Sequence, residues 1–309
     1  MLTSLLILPI VALAPMDSLK TRLDGICKGL HGRMGYSIKE LKTGRHISFR
    51  GDERFPTAST IKTAIALEAI HQVETGKLQW SSKRMLPNAA QRVPYDASMW
   101  AYHMKDGVSL DLDGYTNLMI TVSDNLATRV LREWLGTLNI DANLESLGFK
   151  DTKCLSSAPP EATRLRKLNG QFGMGMTTPN EMNRLLELIY LRKAASPAGC
   201  EKLLRIMSHQ YWDDWIGSTV PTNVRLSSKS GAIDRSRSDT AIVFAENPYI
   251  ITIYTDGQKD QRYASDNEGE LALLKIADIV WNTLEPKKPY HLPPGYQKFT
   301  PTGGGVEDS

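Results

Sequence analysis

Apolar residues at Leu19, Leu23, Ile26, Cys27 and Leu30 recur at helical spacing, so residues 16–30 predict an amphipathic helix. Over residues 34–41 the pattern shifts toward alternation, and residues 46–49 resume it after Lys42-Thr43-Gly44-Arg45. That is a hairpin with Gly44 in its turn. Phe55-Pro56-Thr57-Ala58-Ser59-Thr60-Ile61-Lys62 then opens an apolar helix that runs on to Ile70, and Pro56 disfavours an earlier helical turn. From about Leu78 to Tyr211 the chain reads as helical segments joined by loops. Residues 115–122 and 126–135 are periodic, and Pro179 in Thr177-Thr178-Pro179-Asn180-Glu181 suits the first turn of another helix. Between them, residues 154–176 hold Pro159-Pro160, Gly170, Gly173 and Gly175 with little periodicity, which predicts a long irregular loop. Strands return over 224–229, 239–245 and 249–254, with Asn247-Pro248 turning between the last two. Residues 266–284 predict a final amphipathic helix, and the Pro- and Gly-rich residues 286–309 predict a disordered tail.

This order predicts an α+β fold: one antiparallel sheet flanked by N- and C-terminal helices, with an all-helical lobe inserted into its chain. The sheet lobe takes residues 15–60 and 216–285, and the all-α lobe residues 61–215. No internal repeat interrupts the scheme. Residues 2–14 are apolar but too short to span a bilayer as a helix. They end in Ala12-Leu13-Ala14, a small-x-small pattern, so residues 1–14 read as an export signal of a periplasmic or secreted protein. No Lys or Arg precedes the apolar run and Pro15 follows the cut, features that suit an ordered or mis-started N-terminus instead.

With 309 residues, 41% of them hydrophobic and 23% charged, the chain can bury a full core. The net charge of +3 is too small and dispersed for a nucleic-acid-binding surface. Cys27, Cys154 and Cys200 are far apart, follow no metal-ligand spacing and read as buried thiols. No His-Glu-x-x-His pair occurs, so neither a metal nor any other cofactor is expected.

The chemistry concentrates in three short motifs. Ser59 and Lys62 are three apart on one helix face, at a helix start where free N–H groups favour negative charge. A hydroxyl beside an amine there is an activated nucleophile, or else a capping serine beside a lysine that snorkels. Ser123-Asp124-Asn125 is a polar triplet lodged between apolar helices, and Lys229-Ser230-Gly231 lies at the end of a predicted strand. Each of these two has a decoy. Ser265-Asp266-Asn267 repeats the triplet, but Glu268 follows at capping-box spacing and marks the start of the last helix. Lys42-Thr43-Gly44 sits in the hairpin turn. Specificity resides in the ordered set, each motif in its own setting.

In that set the sequence resembles the penicillin-recognising serine hydrolases, most closely the class A β-lactamases. The stretch from Gly44 through Phe49 and Asp52-Glu53-Arg54-Phe55-Pro56 into Ser59, the Thr177-Thr178-Pro179 tripeptide and the Ser238-Asp239-Thr240-Ala241-Ile242-Val243 strand extend the likeness over residues 34–284. The resemblance implies that Ser59 attacks an amide or lactam carbonyl while Lys62 takes its proton or poises a water that does. It implies an oxyanion hole from the backbone N–H groups of Ser59 and Ala232. Ser123 would pass a proton to the departing nitrogen, and Asn125 would hold the substrate's side-chain amide. Lys229 and Ser230 would bind its carboxylate, Gly231 would allow close approach, and Arg237 or Arg235 would add a bidentate contact or simply lie in a solvated hairpin. Trp100 and Tyr102 would line the cleft wall or pack as ordinary aromatics. The partner implied is a small β-lactam or D-Ala-D-Ala-like molecule, acted on by a monomer.

The likeness breaks at one place. Class A enzymes carry a Glu-x-x-Leu-Asn pattern whose glutamate resolves the acyl-enzyme. Here Leu168-Asn169 is present, but the position four before Asn169 is Leu165, and the nearest upstream carboxylate is Glu161. Glu161 is therefore either the deacylating base or an exposed loop residue. Three readings follow: a β-lactam hydrolase; a D-Ala-D-Ala peptidase or esterase of the same fold; and a sensor module that is acylated once and stays acylated.

Overall fold

The computed structural model describes residues 16–96 and 100–291; the expected export signal lies outside them. Five antiparallel strands form the main sheet: β1 (Arg33–Glu40), β2 (His46–Phe49), β3 (Leu226–Ile233), β4 (Ser236–Val243) and β5 (Tyr249–Asp256). Their spatial order is β2-β1-β5-β4-β3, so the last strands of the chain insert beside the first hairpin. Gly44 turns that hairpin at φ 74°, a conformation a β-carbon would strain. β3 closes one edge of the sheet, paired only with β4 in a register that sets Lys229 opposite Thr240 and Gly231 opposite Ser238.

Both faces of the sheet are covered, and this fixes what each side chain can reach. In β5, Tyr249, Ile251 and Ile253 join Leu19, Leu23, Leu273, Ile276 and Trp281 of the terminal helices α1 (Met16–Gly29) and α9 (Glu268–Leu284) in one core. The alternate residues Ile250 and Tyr254 face the second lobe and join its core instead. β4 follows the same rule: Ala241 and Val243 pack toward the terminal helices, Ile242 toward the second lobe.

That second lobe is built from α2 (Lys62–Glu74), α3 (Leu112–Thr121), α4 (Asn125–Leu135), α5 (Thr137–Ser146), α6 (Thr163–Phe172), α7 (Pro179–Tyr190) and α8 (Pro197–Met207). α2 is its axis, with Ile65, Ala66, Leu67 and Ala69 all essentially inaccessible. The lobe is not the all-α unit that the sequence pattern predicts. Lys83–Met85 pairs with Ser109–Asp111, and Gly175–Thr177 bridges Phe55–Pro56 and Lys153–Cys154.

The irregular loop expected over 154–176 contains α6. Its signal is the spacing of Leu165, Leu168 and Phe172, which pack with Leu155 and Met176 into a small core of their own. Between them stand Arg164, Arg166, Lys167 and Gly170, which dilute the pattern below recognition. Residues 286–291, expected to be disordered, run back along α9. Trp281 Nε1 donates to Lys288 O at 3.0 Å and Asn282 Nδ2 to Tyr290 O at 2.9 Å. All three cysteines are buried and free, and burial pushes the Cys27 and Cys154 thiols up to about 12. Among the described residues no helix is long and apolar enough to cross a membrane.

The second Ser-Asp-Asn triplet is a helix start, but Asn267, not Ser265, is the cap. Its Oδ1 accepts from Gly269 N and Glu270 N, and its Nδ2 donates to Asp260 O and Arg262 O at 3.0 and 2.9 Å. Because Asn267 is fully buried, Asn267→Ala removes the cap and strands those carbonyls. The expected loss is about 2 kcal/mol in urea unfolding, and Asn267→Asp, which keeps the capping oxygen but sets an acceptor against the two carbonyls, should not recover it.

Candidate active site

Ser59 sits in a short 3₁₀ turn, Ala58–Ile61, that leads directly into α2, as the position of Pro56 predicts. The turn is strained at its start: Ala58 has φ 44° in the left-handed region, which costs an alanine on the order of 1 kcal/mol. Thr60 anchors it, donating to Thr57 O at 2.9 Å and sharing a hydrogen bond with the Tyr254 hydroxyl of β5. Ser59 itself is half-buried while Ala58, Thr60, Ile61 and Lys62 around it are buried, so it is the one group of the turn open to a ligand.

Lys62 opens α2 and is completely buried. Its Nζ donates to Ser123 O at 2.7 Å, Ser123 Oγ at 3.0 Å and Asn125 Oδ1 at 3.1 Å. One ammonium therefore joins the first motif to the second across some sixty residues of chain. Burial above all, then the nearby Lys229 charge, hold Lys62 well below the ordinary lysine range, against an opposing pull from Asp124. Ser123 adopts φ 59°, between the end of α3 and the start of α4. Asp124 caps α4 through Ala127 N and accepts from Ala101 N at 2.9 Å with its other oxygen, which ties residues 101–103 to the motif.

The third motif closes the opposite side. A β-carbon on Gly231 would stand 2.7 Å from Ser59 N and 2.8 Å from Thr57 O, so only glycine lets β3 lie this close to the Ser59 turn. Ser238 on β4 reinforces the seam by donating to Thr57 O and Gly231 O, both at 3.1 Å. Lys229 is fully buried, donates to Ser230 O at 2.9 Å and is pushed down to about 7 by burial, with Asp239 pulling the other way. Ala232 follows Gly231 on the edge strand.

Not every residue expected at the site reaches it. Arg237 lies on β4 with the parity of Ala241 and Val243, hence on the face turned away from Ser238 and the cleft. It is fully buried, paired to Glu270 Oε1 of α9 at 2.9 Å, and its other nitrogens donate to Ile233 O and Arg262 O at 2.7 Å. This arginine holds the hairpin to α9 and is not available to a substrate carboxylate. Arg235 is engaged with Asp256 Oδ1 at 2.8 Å and with Gln171 O. Glu161 lies exposed in the turn before α6, and among the described residues no hydrogen bond joins its carboxylate to Lys62, Ser59 or Asn125. Leu165, at the position of the family's glutamate, is turned into the small α6 core. Sequence reading missed Trp212, whose residue type carries no catalytic signature, and gave Asp124 and Ser238 no role of their own within the stretches it singled out.

Comparison with known proteins matches residues 18–284 to the model of the "Beta-lactamase enzyme family". The chain belongs to the beta-lactamase enzyme family. It is similar to Beta-lactamase CARB-4 of Pseudomonas aeruginosa, 27% identical over 82% of this chain and 85% of the relative. An ancestral class A β-lactamase superposes with a TM-score of 0.72 at 25% identity, over 85% of this chain and 98% of that one. The β-lactamase of Sphaerobacter thermophilus superposes with a TM-score of 0.75 at 22% identity, over 89% of this chain and all of that one. The α+β fold is that of the class A β-lactamases, and the activity is that of a serine hydrolase of this family.

Two expectations come from the site's electrostatics. Above about pH 7 the free Lys229 amine is neutral, so kcat/KM for a carboxylate-bearing substrate should fall as pH rises through that region. An uncharged ester substrate should lack that limb. Between about 7 and the ordinary lysine value of 10.5 the unfolded chain binds a proton at residue 229 that the folded chain does not. This one group therefore makes stability rise with pH there, a slope that Lys229→Met should remove from urea midpoints. Arg237→Ala should cost about 3 kcal/mol, since it removes a fully buried guanidinium that bridges Glu270, Ile233 O and Arg262 O. KM of the folded variant for a β-lactam should stay unchanged.

Proposed function

We propose that this protein opens β-lactam amides through an ester on Ser59, with Lys62 and Ser123 moving the protons and Lys229 and Ser230 holding the substrate carboxylate. The observation that carries this reading is the Lys62 ammonium within hydrogen-bond distance of Ser123 Oγ and Asn125 Oδ1, one turn from Ser59 and beside the Lys229 strand. The depressed basicity of Lys62 supports a neutral fraction that takes the Ser59 proton. Ser59 Oγ bonds to the carbonyl carbon, and the backbone N–H groups of Ser59 and Ala232 receive the developing oxyanion. The C–N bond then breaks. The proton passes from Lys62 through the Ser123 hydroxyl to the departing nitrogen, while Asn125 orients the substrate's side-chain amide. Export to the periplasm or medium, action as a monomer and a two-lobe division at residues 60 and 215 belong to the same proposal.

A second reading, in which the ester persists, is favoured by one observation. The α6 segment turns Leu165 into its small core, and the only nearby sequence candidate for a base, Glu161, is exposed. Acylation and hydrolysis are separate steps, so the Ser59 chemistry is complete without that base while turnover is not. Intact-mass spectrometry after mixing with a penicillin separates the readings. Mass gain on Ser59 that decays with steady turnover supports the hydrolase, with Glu161→Ala expected to trap the adduct at an unchanged acylation rate. Normal turnover by Glu161→Ala removes Glu161 from the mechanism. A one-equivalent burst with no decay in the parent protein supports the sensor module. Slow β-lactam turnover beside faster cleavage of a D-Ala-D-Ala peptide or ester supports the peptidase.

A further inference from the structure

The carbonyls at the end of α3 have a set of partners that the three motifs do not supply. A helix leaves its last carbonyls without intrahelical donors, and here they immediately precede Ser123. Three consecutive residues after α8 take them in order. Gln210 Nε2 donates to Ile120 O at 2.9 Å, Tyr211 N to Thr121 O at 2.9 Å, and the indole Nε1 of Trp212 to Val122 O at 3.0 Å. The next carbonyl, Ser123 O, is the one Lys62 holds at 2.7 Å. On its far side the same strap meets the third motif, where Ser230 Oγ donates to Trp212 O at 3.4 Å. The Tyr211 ring stands edge-on to the Trp212 indole at 5.0 Å and fixes its plane.

We infer that Trp212 is a positioning residue: through its indole N–H on Val122 O it holds the left-handed Ser123 peptide so that the Ser123 hydroxyl stays between Lys62 and the departing nitrogen. Val122 O belongs to the peptide whose nitrogen is that of Ser123, so a rotation there swings Ser123 directly. With Val122 O and Ser123 O gripped from opposite sides, the two peptides flanking the Ser123 α-carbon cannot turn independently. The inference rests on the proposed role of Ser123 as proton donor to the leaving group.

The leaving group supplies the test. A β-lactam nitrogen must be protonated as the C–N bond breaks, whereas an activated aryl ester expels a stable phenolate and needs no proton. Trp212→Phe keeps the ring and removes the donor. Its single-turnover acylation by a penicillin should slow about 10-fold, while acylation by the aryl ester changes less than about 2-fold. Gln210→Met, which frees Ile120 O farther from Ser123, should show the same selective loss at about 3-fold and carries the test should Trp212→Phe fail to fold. A purely structural role would slow both substrates alike. Equal slowing of both, or of neither, in these variants overturns the inference. Ser123→Ala separates the two levels: if it too loses no more on the lactam than on the ester, the proton-donor reading fails; if it is selective while the strap variants are not, only the role of Trp212 fails.

Discussion

A fully buried ammonium needs oxygen on every side, and Lys62 finds it on a segment more than sixty residues away. Taking one such charge out of water costs several kcal/mol after relaxation, and charge-assisted hydrogen bonds of about 1.5–3 kcal/mol each offset that cost only if the geometry is held. Ser123 O, Ser123 Oγ and Asn125 Oδ1 supply that geometry. The α3–α4 junction therefore has to sit over the start of α2, and the left-handed backbone of Ser123 is what turns both its carbonyl and its hydroxyl toward one amine. The same burial leaves the lysine a poor holder of its proton, so the requirement for stability and the capacity for proton transfer have one origin.

The sheet contributes parity. With both faces covered, each strand residue belongs to the terminal helices or to the cleft lobe, and a single step along the chain reassigns it. Ser238 and Thr240 reach Thr57 O and Lys229 O; Arg237, one step along β4 from Ser238, reaches Glu270 of α9. β3 is the edge strand, and Gly231 removes the one β-carbon that would stand against the backbone of the Ser59 turn. Lys229 is thereby carried to the same seam as Lys62, and its charge weakens the hold of Lys62 on a proton in the direction that burial already favours.

What was legible in the sequence follows from these constraints. The terminal helices, the first hairpin and the late strands bury continuous or periodic apolar faces, and those patterns survive as written. Ser59, Lys62, Ser123, Asn125 and Lys229 were legible because their chemistry is uncommon in such settings: a lysine inside an apolar helix, a polar triplet between two apolar ones. The α6 helix was not, because it packs only three apolar residues against a satellite core and shows solvent a run of basic ones. Arg237 was misplaced because its residue type matched a carboxylate, while its facing depended on a strand register that only the paired neighbour fixes. The strap from Gln210 to Trp212 was invisible since its function lies in which carbonyls it meets, not in what its residues are.

The two strained positions of the site explain why so many ordinary residues crowd its seam. Ala58 and Ser123 both hold left-handed backbones, each unfavourable by on the order of 1 kcal/mol for a side-chain-bearing residue. Such a conformation persists only where its surroundings over-determine it. At Ala58 the determinants are Thr57 and Thr60 on either side, bonded to Ser238 of β4 and Tyr254 of β5. At Ser123 they are Lys62 before the cleft and Trp212 behind it. Of these contacts Lys62–Ser123 joins the first motif to the second, while Ser238 and Tyr254 reach the Ser59 turn within the sheet lobe and Trp212 reaches Val122 within the helical one. The Ser59 turn and the Ser123 junction are thus each held in a left-handed backbone by several hydrogen bonds from neighbouring elements, not by their own conformational preference.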